Sequence, residues 1–219
     1  MPQEEFPGAK KQATSFTWNA EQRMVRAVTP HVPSFLGTRR LTMLTLLWSA
    51  LVVYFSWRSQ QDIRWLAGAS GILAAQYLTD VLDGALGRYR NSGFVRWGFY
   101  MDHLLDFVFA ASVFIGYALV VDASALLALF IFFIACTIIP VSTFLSFSGY
   151  NAFKIGTLGF GPTEYRLAII LLNAAIIYFG ISAFERALPY LAGLLFAYSF
   201  VLVYRTQKDM YRMDMRNKK

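Results

Sequence analysis

The chain has 219 residues, 57% of them hydrophobic and 15% charged, with a net charge of +7 and a mean hydropathy of +0.45. That balance is too apolar for a water-facing domain and points to the bilayer as solvent. The basic residues fall in loops and tails between apolar runs and form no basic face interleaved with aromatics, so nucleic acid is set aside as a partner.

At the N-terminus, Glu4, Glu5, Lys10 and Lys11 precede any apolar run, which is not the layout of a cleaved signal peptide. Residues 1–37 read as a cytoplasmic arm. Within it, Phe16 to Val28 sets Phe16, Ala20, Met24, Val25, Ala27 and Val28 against Glu21, Arg23 and Arg26, the pattern of an amphipathic juxtamembrane segment. Apolar runs follow at 41–57, 63–86, 97–121, 123–147, 165–183 and 188–204. Each is long enough to cross about 30 Å of hydrocarbon at about 1.5 Å per residue. The expectation is an all-α integral membrane protein of six transmembrane helices in one domain over 1–219, with Asp122 as a tight turn and 205–219 as a basic cytoplasmic tail. Cys136 lies inside an apolar run, so no intrachain disulfide forms. Trp18, Trp48, Trp57, Trp65 and Trp97 read as an aromatic belt.

Lys and Arg split unevenly between the two sides implied by six spans. Seventeen fall on the side of the termini and three, Arg58, Arg64 and Arg186, on the other. The positive-inside rule then makes both termini cytoplasmic, and it accounts for the net charge as well.

Charged groups inside a bilayer are costly and need partners. Asp80 and Asp83 lie three residues apart near the cytoplasmic end of the second run, and Asp102 and Asp106 lie four apart at the start of the third. Both spacings put each pair on one helix face. Counting from Arg88 and Arg96, Asp80 and Asp102 sit about 12 and 9 Å from the cytoplasmic boundary at the helical rise, so the two pairs are level. Four facing carboxylates repel one another without cations, and an all-oxygen set suits Mg²⁺, Mn²⁺ or Ca²⁺ better than zinc. Gly84 and Gly87 clear space beside the acids, and Arg88 offers a planar cation for phosphate oxygens. Together these residues read as a site for a pyrophosphate compound.

The segment Asp80-Val-Leu-Asp83-Gly84-Ala-Leu-Gly87-Arg88, nine residues, then Gly98-Phe-Tyr-Met-Asp102-His-Leu-Leu-Asp106 resembles the CDP-alcohol phosphatidyltransferase pattern D-x2-D-G-x2-A-R-x8,9-G-x3-D-x3-D. Seven of its eight fixed positions agree; Gly87 stands where the family has Ala. The resemblance implies that Asp80, Asp83, Asp102 and Asp106 hold divalent metal, Mg²⁺ or Mn²⁺, against a CDP-linked donor, and that Asp106 is the base toward an acceptor hydroxyl. It also implies that Gly84 lies against cytidine, that Arg88 contacts donor phosphate, and that the protein is a homodimer. His103 follows the third aspartate as in the choline and ethanolamine branch, which makes it a second candidate base, although Phe99 stands where that branch carries Glu.

Gly159 to Arg166 reads as a cytoplasmic loop entering the fifth span. Glu164 suits a helix start, whereas Arg166 opposes the helix dipole there, a conflict that a bound anion resolves; both are candidates for lining the substrate cavity. Arg39 and Arg40 read as membrane anchors. The favoured activity is transfer of a phosphatidyl group from CDP-diacylglycerol to a small polar alcohol, with CMP released among membrane lipids. The alternatives are a CDP-aminoalcohol phosphotransferase acting on diacylglycerol and, from another class, a divalent-cation transporter.

Overall fold

The computed structural model describes residues 18–92, 94–150 and 162–217, and every regular element among them is helical. Phe16, Lys154 and the loop residues 159–161 lie outside the described residues. The helices are α1 (Trp18–Val28), α2 (Thr38–Arg58), α3 (Leu66–Tyr89), α4 (Val95–Ala118), α5 (Leu126–Tyr150), α6 (Pro162–Phe179) and α7 (Ile181–Asn217). Short 3-10 turns at Thr29–His31, Ile63–Trp65 and Ala123–Ala125 precede α2, α3 and α5.

Each of the six apolar runs folds mainly as helix, and the run 165–183 is divided at Gly180, where α6 ends and α7 follows. Four helical segments, Thr38–Arg58, Val95–Ala118, Ala123–Ser146 and Ile181–Arg216, are long and apolar enough to cross a membrane. The segments α3 and α6 fall outside that group, and the reason is visible in their residues: Gln76, Asp80 and Asp83 on α3, and Glu164, Arg166 and Asn173 on α6, lower the hydropathy of otherwise apolar helices.

The chain divides into two compact units. Of the described residues, one unit contains 18–92, 94–120 and 162–182, and so α1 to α4 with α6; the other contains 121–150 and 183–217, and so α5 with most of α7. In the first unit α2 packs along both α3 and α4, while α3 also packs on α6. The register of α2 against α3 is antiparallel: Thr42 bonds to Asp83, and further along α2 the Trp48 indole donates to Thr79 at 3.1 Å. Trp48 thus takes part in the α2–α3 contact.

The buried face of α2 reads Leu41, Thr42, Thr45, Ser49, Val52 and Ser56. Small residues let membrane helices approach closely, since burial against lipid-like neighbours gives them no hydrophobic drive to associate. The facing helices are equally lean at the contact. A Cβ on Gly116 of α4 would come to 2.9 Å from Ser56 Cβ, and one on Gly68 of α3 would run into the Phe55 ring. Below this seam the α2–α3 turn is fixed locally. Asp62 caps the Ile63–Trp65 turn through the Arg64 N–H at 3.0 Å and pairs with the Arg64 guanidinium at 2.9 Å. That hydrogen-bonded pairing holds its carboxyl below the usual range.

At the other end of α3, Arg90 donates to the carbonyls of Val32, Leu36 and Pro33 at 2.6, 2.8 and 3.2 Å. One planar guanidinium thus ties the α1–α2 linker to the end of the helix that carries the first aspartate pair. In α1, Val25 is buried while Arg23 and Arg26 face outward, as the amphipathic pattern requires; Ala27 and Val28 are exposed. The helix α6 ends at Gly180, whose φ of 84° is the left-handed conformation open to glycine and whose N–H closes on Ile176 O at 2.9 Å.

In the second unit, the Asp122 N–H donates to Glu185 at 2.6 Å, which fixes the break that the sequence places at Asp122. Pro140 lies inside α5 and Pro189 inside α7. The basic tail is a continuation of α7: Arg205, Lys208, Arg212 and Arg216 recur at helical spacing, with no Gly or Pro to stop the helix.

Candidate functional site

Because α3 runs antiparallel to α2 and is followed after a short turn by α4, the two aspartate pairs are displayed from neighbouring helices of one unit. What joins them is α6. Arg166 Nη2 donates to Asp80 Oδ2 and to Asp106 Oδ1, both at 2.9 Å, and Asp102 is near enough to act on the same guanidinium electrostatically. The Arg166 side chain is 9% exposed, against 19% for Asp80 and 36% for Asp106, so the ion pairs are sheltered from screening. Its guanidinium also lies 5.9 Å from the centre of the Tyr77 ring. The helix α6 begins at Pro162, with Glu164 as its first-turn acid. Close to a helix start, Arg166 is met by the protein's own Asp80 and Asp106.

Asp83 makes contact with α2. It is 6% exposed and its Oδ2 accepts from the Thr42 hydroxyl of α2 at 2.6 Å. Thr42 was not singled out from the sequence; its only signal there is a hydroxyl one turn into an apolar run, behind Arg39 and Arg40.

Gly84 is exposed on α3, and a Cβ there would sit 3.6 Å from Arg88 Nη1, so the Arg88 side chain folds back over it. Gly87 lies against Thr38 and Ser92, which a Cβ would meet at 3.5 to 3.6 Å. Both glycines and Arg88 are thus grouped at the end of α3 beside the start of α2. The His103 ring lies tilted against Phe99, the ring centres 4.4 Å apart, and its Nδ1 bonds the Phe99 carbonyl at 2.5 Å. A carbonyl only accepts, so Nδ1 carries the hydrogen and Nε2 is the basic nitrogen of the neutral ring.

Beside Asp106 and Arg166 opens a cavity of about 120 Å³, lined further by Tyr165 and by the apolar Leu73, Phe109, Ala110, Val113 and Ile169. Arg166 is among its lining residues, and Glu164, half-buried two residues earlier on α6, is not. One turn further along the same three helices, the Tyr117 hydroxyl donates to Asn173 Oδ1 at 2.7 Å and Asn173 Nδ2 donates to Ser70 at 3.0 Å. This buried triad pins α3, α4 and α6 together beneath the cavity.

Among the described residues no three His, Cys, Asp or Glu side chains converge as a ready metal site. The cation gathering Asp80 and Asp106 is the Arg166 guanidinium. Its position demonstrates that carboxylates from two helices reach one positive centre, and the donor set is all oxygen. Four carboxylates against the guanidiniums of Arg88 and Arg166 leave two formal negative charges, which a hard divalent ion would neutralise. The residues fit such an ion.

Comparison with curated proteins finds no match. The family model described as CDP-alcohol phosphatidyltransferase matches residues 31–204, a stretch that contains both aspartate pairs, the glycines, Arg88 and Arg166. The chain therefore belongs to the CDP-alcohol phosphatidyltransferase family and is a transferase of substituted phosphate groups.

Proposed function

We propose that the protein transfers a phosphatidyl group from CDP-diacylglycerol to the hydroxyl of a small polar alcohol, releasing CMP, and that it requires Mg²⁺ or Mn²⁺. The observation that carries this reading is the grouping of Asp80 and Asp106 on one cationic centre, with Gly84 one turn and Arg88 two turns along α3 from Asp80 and a largely apolar cavity opening beside the centre. A phosphate compound with an aliphatic part matches that mixture of charge and apolar wall. Membership of a transferase family removes the cation-transporter reading.

In this proposal Asp80, Asp83, Asp102 and Asp106 hold the divalent ion, whose chemistry is to neutralise charge on the donor pyrophosphate and the departing CMP. Thr42 orients Asp83. Gly84 and Gly87 admit the nucleotide close to the backbone, Arg88 binds a donor phosphate oxygen, and Arg166 with Glu164 borders the acceptor. Asp106 accepts the proton of the acceptor hydroxyl as its oxygen bonds to the phosphatidyl phosphorus and the bond from that phosphorus to the CMP oxygen breaks. We further propose six spans, with α3 and α6 crossing as polar-lined members of the bundle, both termini and the site on the cytoplasmic side, and a homodimer in one single-domain protomer of 1–219.

The test is CMP release by purified protein in detergent, with CDP-diacylglycerol or CDP-choline as donor, a panel of alcohol acceptors or diacylglycerol, and Mg²⁺ or Mn²⁺. The expected result is release with CDP-diacylglycerol and one small alcohol, abolished by excess EDTA. Release with CDP-choline and diacylglycerol alone would establish the aminoalcohol branch, and undiminished release in EDTA would overturn metal dependence.

A further inference from the structure

Binding a substrate anion does not account for where Arg166 is. Its guanidinium is nearly enclosed and donates from α6 to one oxygen of Asp80 on α3 and one of Asp106 on α4, both at 2.9 Å. These are two of the carboxylates assigned above to the divalent ion. A guanidinium and a divalent cation are like charges seeking the same lone pairs, and at contact distance in a sheltered site they exclude one another. Removing the arginine without replacing it would leave two partly buried carboxylates uncompensated, so the exchange has to be one cation for another. The guanidinium also has somewhere to go, because the same residue lines the cavity beside Asp106, together with Tyr165 and Ile169.

We propose that Arg166 is an exchangeable internal counter-ion: it holds Asp80 and Asp106 until a divalent cation is loaded, and loading releases the guanidinium into the adjoining cavity, where it takes a phosphate oxygen of the substrate. The inference rests on the metal-dependent reading of the site. It makes metal and anion binding reciprocal, since whatever draws Arg166 off the carboxylates favours the cation, and the cation in turn frees Arg166 for the anion.

The experiment uses the purified full chain without substrate. Mn²⁺ binding is measured directly by electron paramagnetic resonance for the wild type, Arg166→Gln and Arg166→Lys. Phenylglyoxal modification of Arg166 in the wild type is followed by mass spectrometry with and without Mn²⁺. The expected result is Mn²⁺ binding about tenfold tighter in Arg166→Gln, within the usual range of coupling between sites, with Arg166→Lys between the two. In the wild type, Mn²⁺ should speed modification of Arg166. Equal Mn²⁺ affinity in wild type and Arg166→Gln, or modification that Mn²⁺ leaves unchanged or slows, would overturn the exchange while leaving metal dependence intact. Absence of Mn²⁺ binding in every form would remove the metal reading and this inference with it. Should Arg166→Gln not fold, the wild-type modification decides alone.

Discussion

At the scale of single residues, the two candidate bases differ in what holds them. Asp106 is tied to Arg166 and borders the cavity, whereas His103 packs against the Phe99 ring and bonds its carbonyl, about 100° around α4 from Asp102 at 3.6 residues per turn. Asp106→Asn should abolish turnover while part of the donor binding survives, and His103→Ala should cost little. A loss of about a hundredfold or more in His103→Ala, the range for a missing general base, with donor affinity unchanged, would transfer the role to the histidine.

Thr42 supports a second expectation. Its hydroxyl meets a carboxylate at 2.6 Å in a site where both residues are nearly inaccessible, and a hydrogen bond to a charged group contributes about 1.5 to 3 kcal/mol. Thr42→Val keeps the shape and loses the bond, so it should raise the Mn²⁺ concentration needed for half-maximal rate, and Thr42→Ser should restore it. Equal metal dependence in the valine variant would show that Asp83 is held by other means. The aspartates were legible in the sequence because two short spacings and an energetic anomaly coincide within 27 residues. Thr42 was not, because its partner is 41 residues away and one threonine among apolar residues carries no spacing to read. Arg166 was half legible: its conflict with the helix start was visible, but the carboxylates that resolve it come from two other helices.

At the scale of elements, the packing of α2 depends on the absence of side chains opposite it. Gly116→Leu would drive a branched side chain into Ser56, where a single Cβ already comes to 2.9 Å from the Ser56 Cβ. We expect it to destabilise the unit by about 1 to 3 kcal/mol, the usual cost of overpacking, read as a lower melting temperature in detergent. The variant Ser56→Gly in the same chain should recover part of the loss; no change in melting for Gly116→Leu would mean that α2 and α4 are free to separate there. Helix existence was readable from the apolar runs, and the break at Asp122 with it. The ends were less so, since α7 continues through residues assigned to a tail, helix-forming charged residues being as compatible with a helix as with a solvated end. The polar content of α3 and α6 explains why they read as spans by pattern while falling short by hydropathy.

At the scale of the molecule, orientation rests on charge. The split of seventeen basic residues against three predicts that the turn between α3 and α4 is cytoplasmic. In a Cys136→Ser background, Ser92→Cys should be labelled by an impermeant thiol reagent only after the membrane is opened; labelling in sealed cells would invert the topology. The same turn carries Arg90, whose three bonds to the α1–α2 linker make the amphipathic N-terminal helix and the first aspartate pair parts of one rigid rim.

The bridge made by Arg166 also has a consequence for biogenesis. Its two partners precede it by 86 and 60 residues, so a growing chain exposes Asp80 and Asp106 well before their counter-charge exists. At about 5 to 20 residues per second, the interval between Asp106 and Arg166 is roughly 3 to 12 seconds of synthesis. In the proposed six-span arrangement α3 and α4 are then poor candidates for release into lipid during that interval, and the insertion machinery, or water at its gate, has to shelter their acids until α6 arrives.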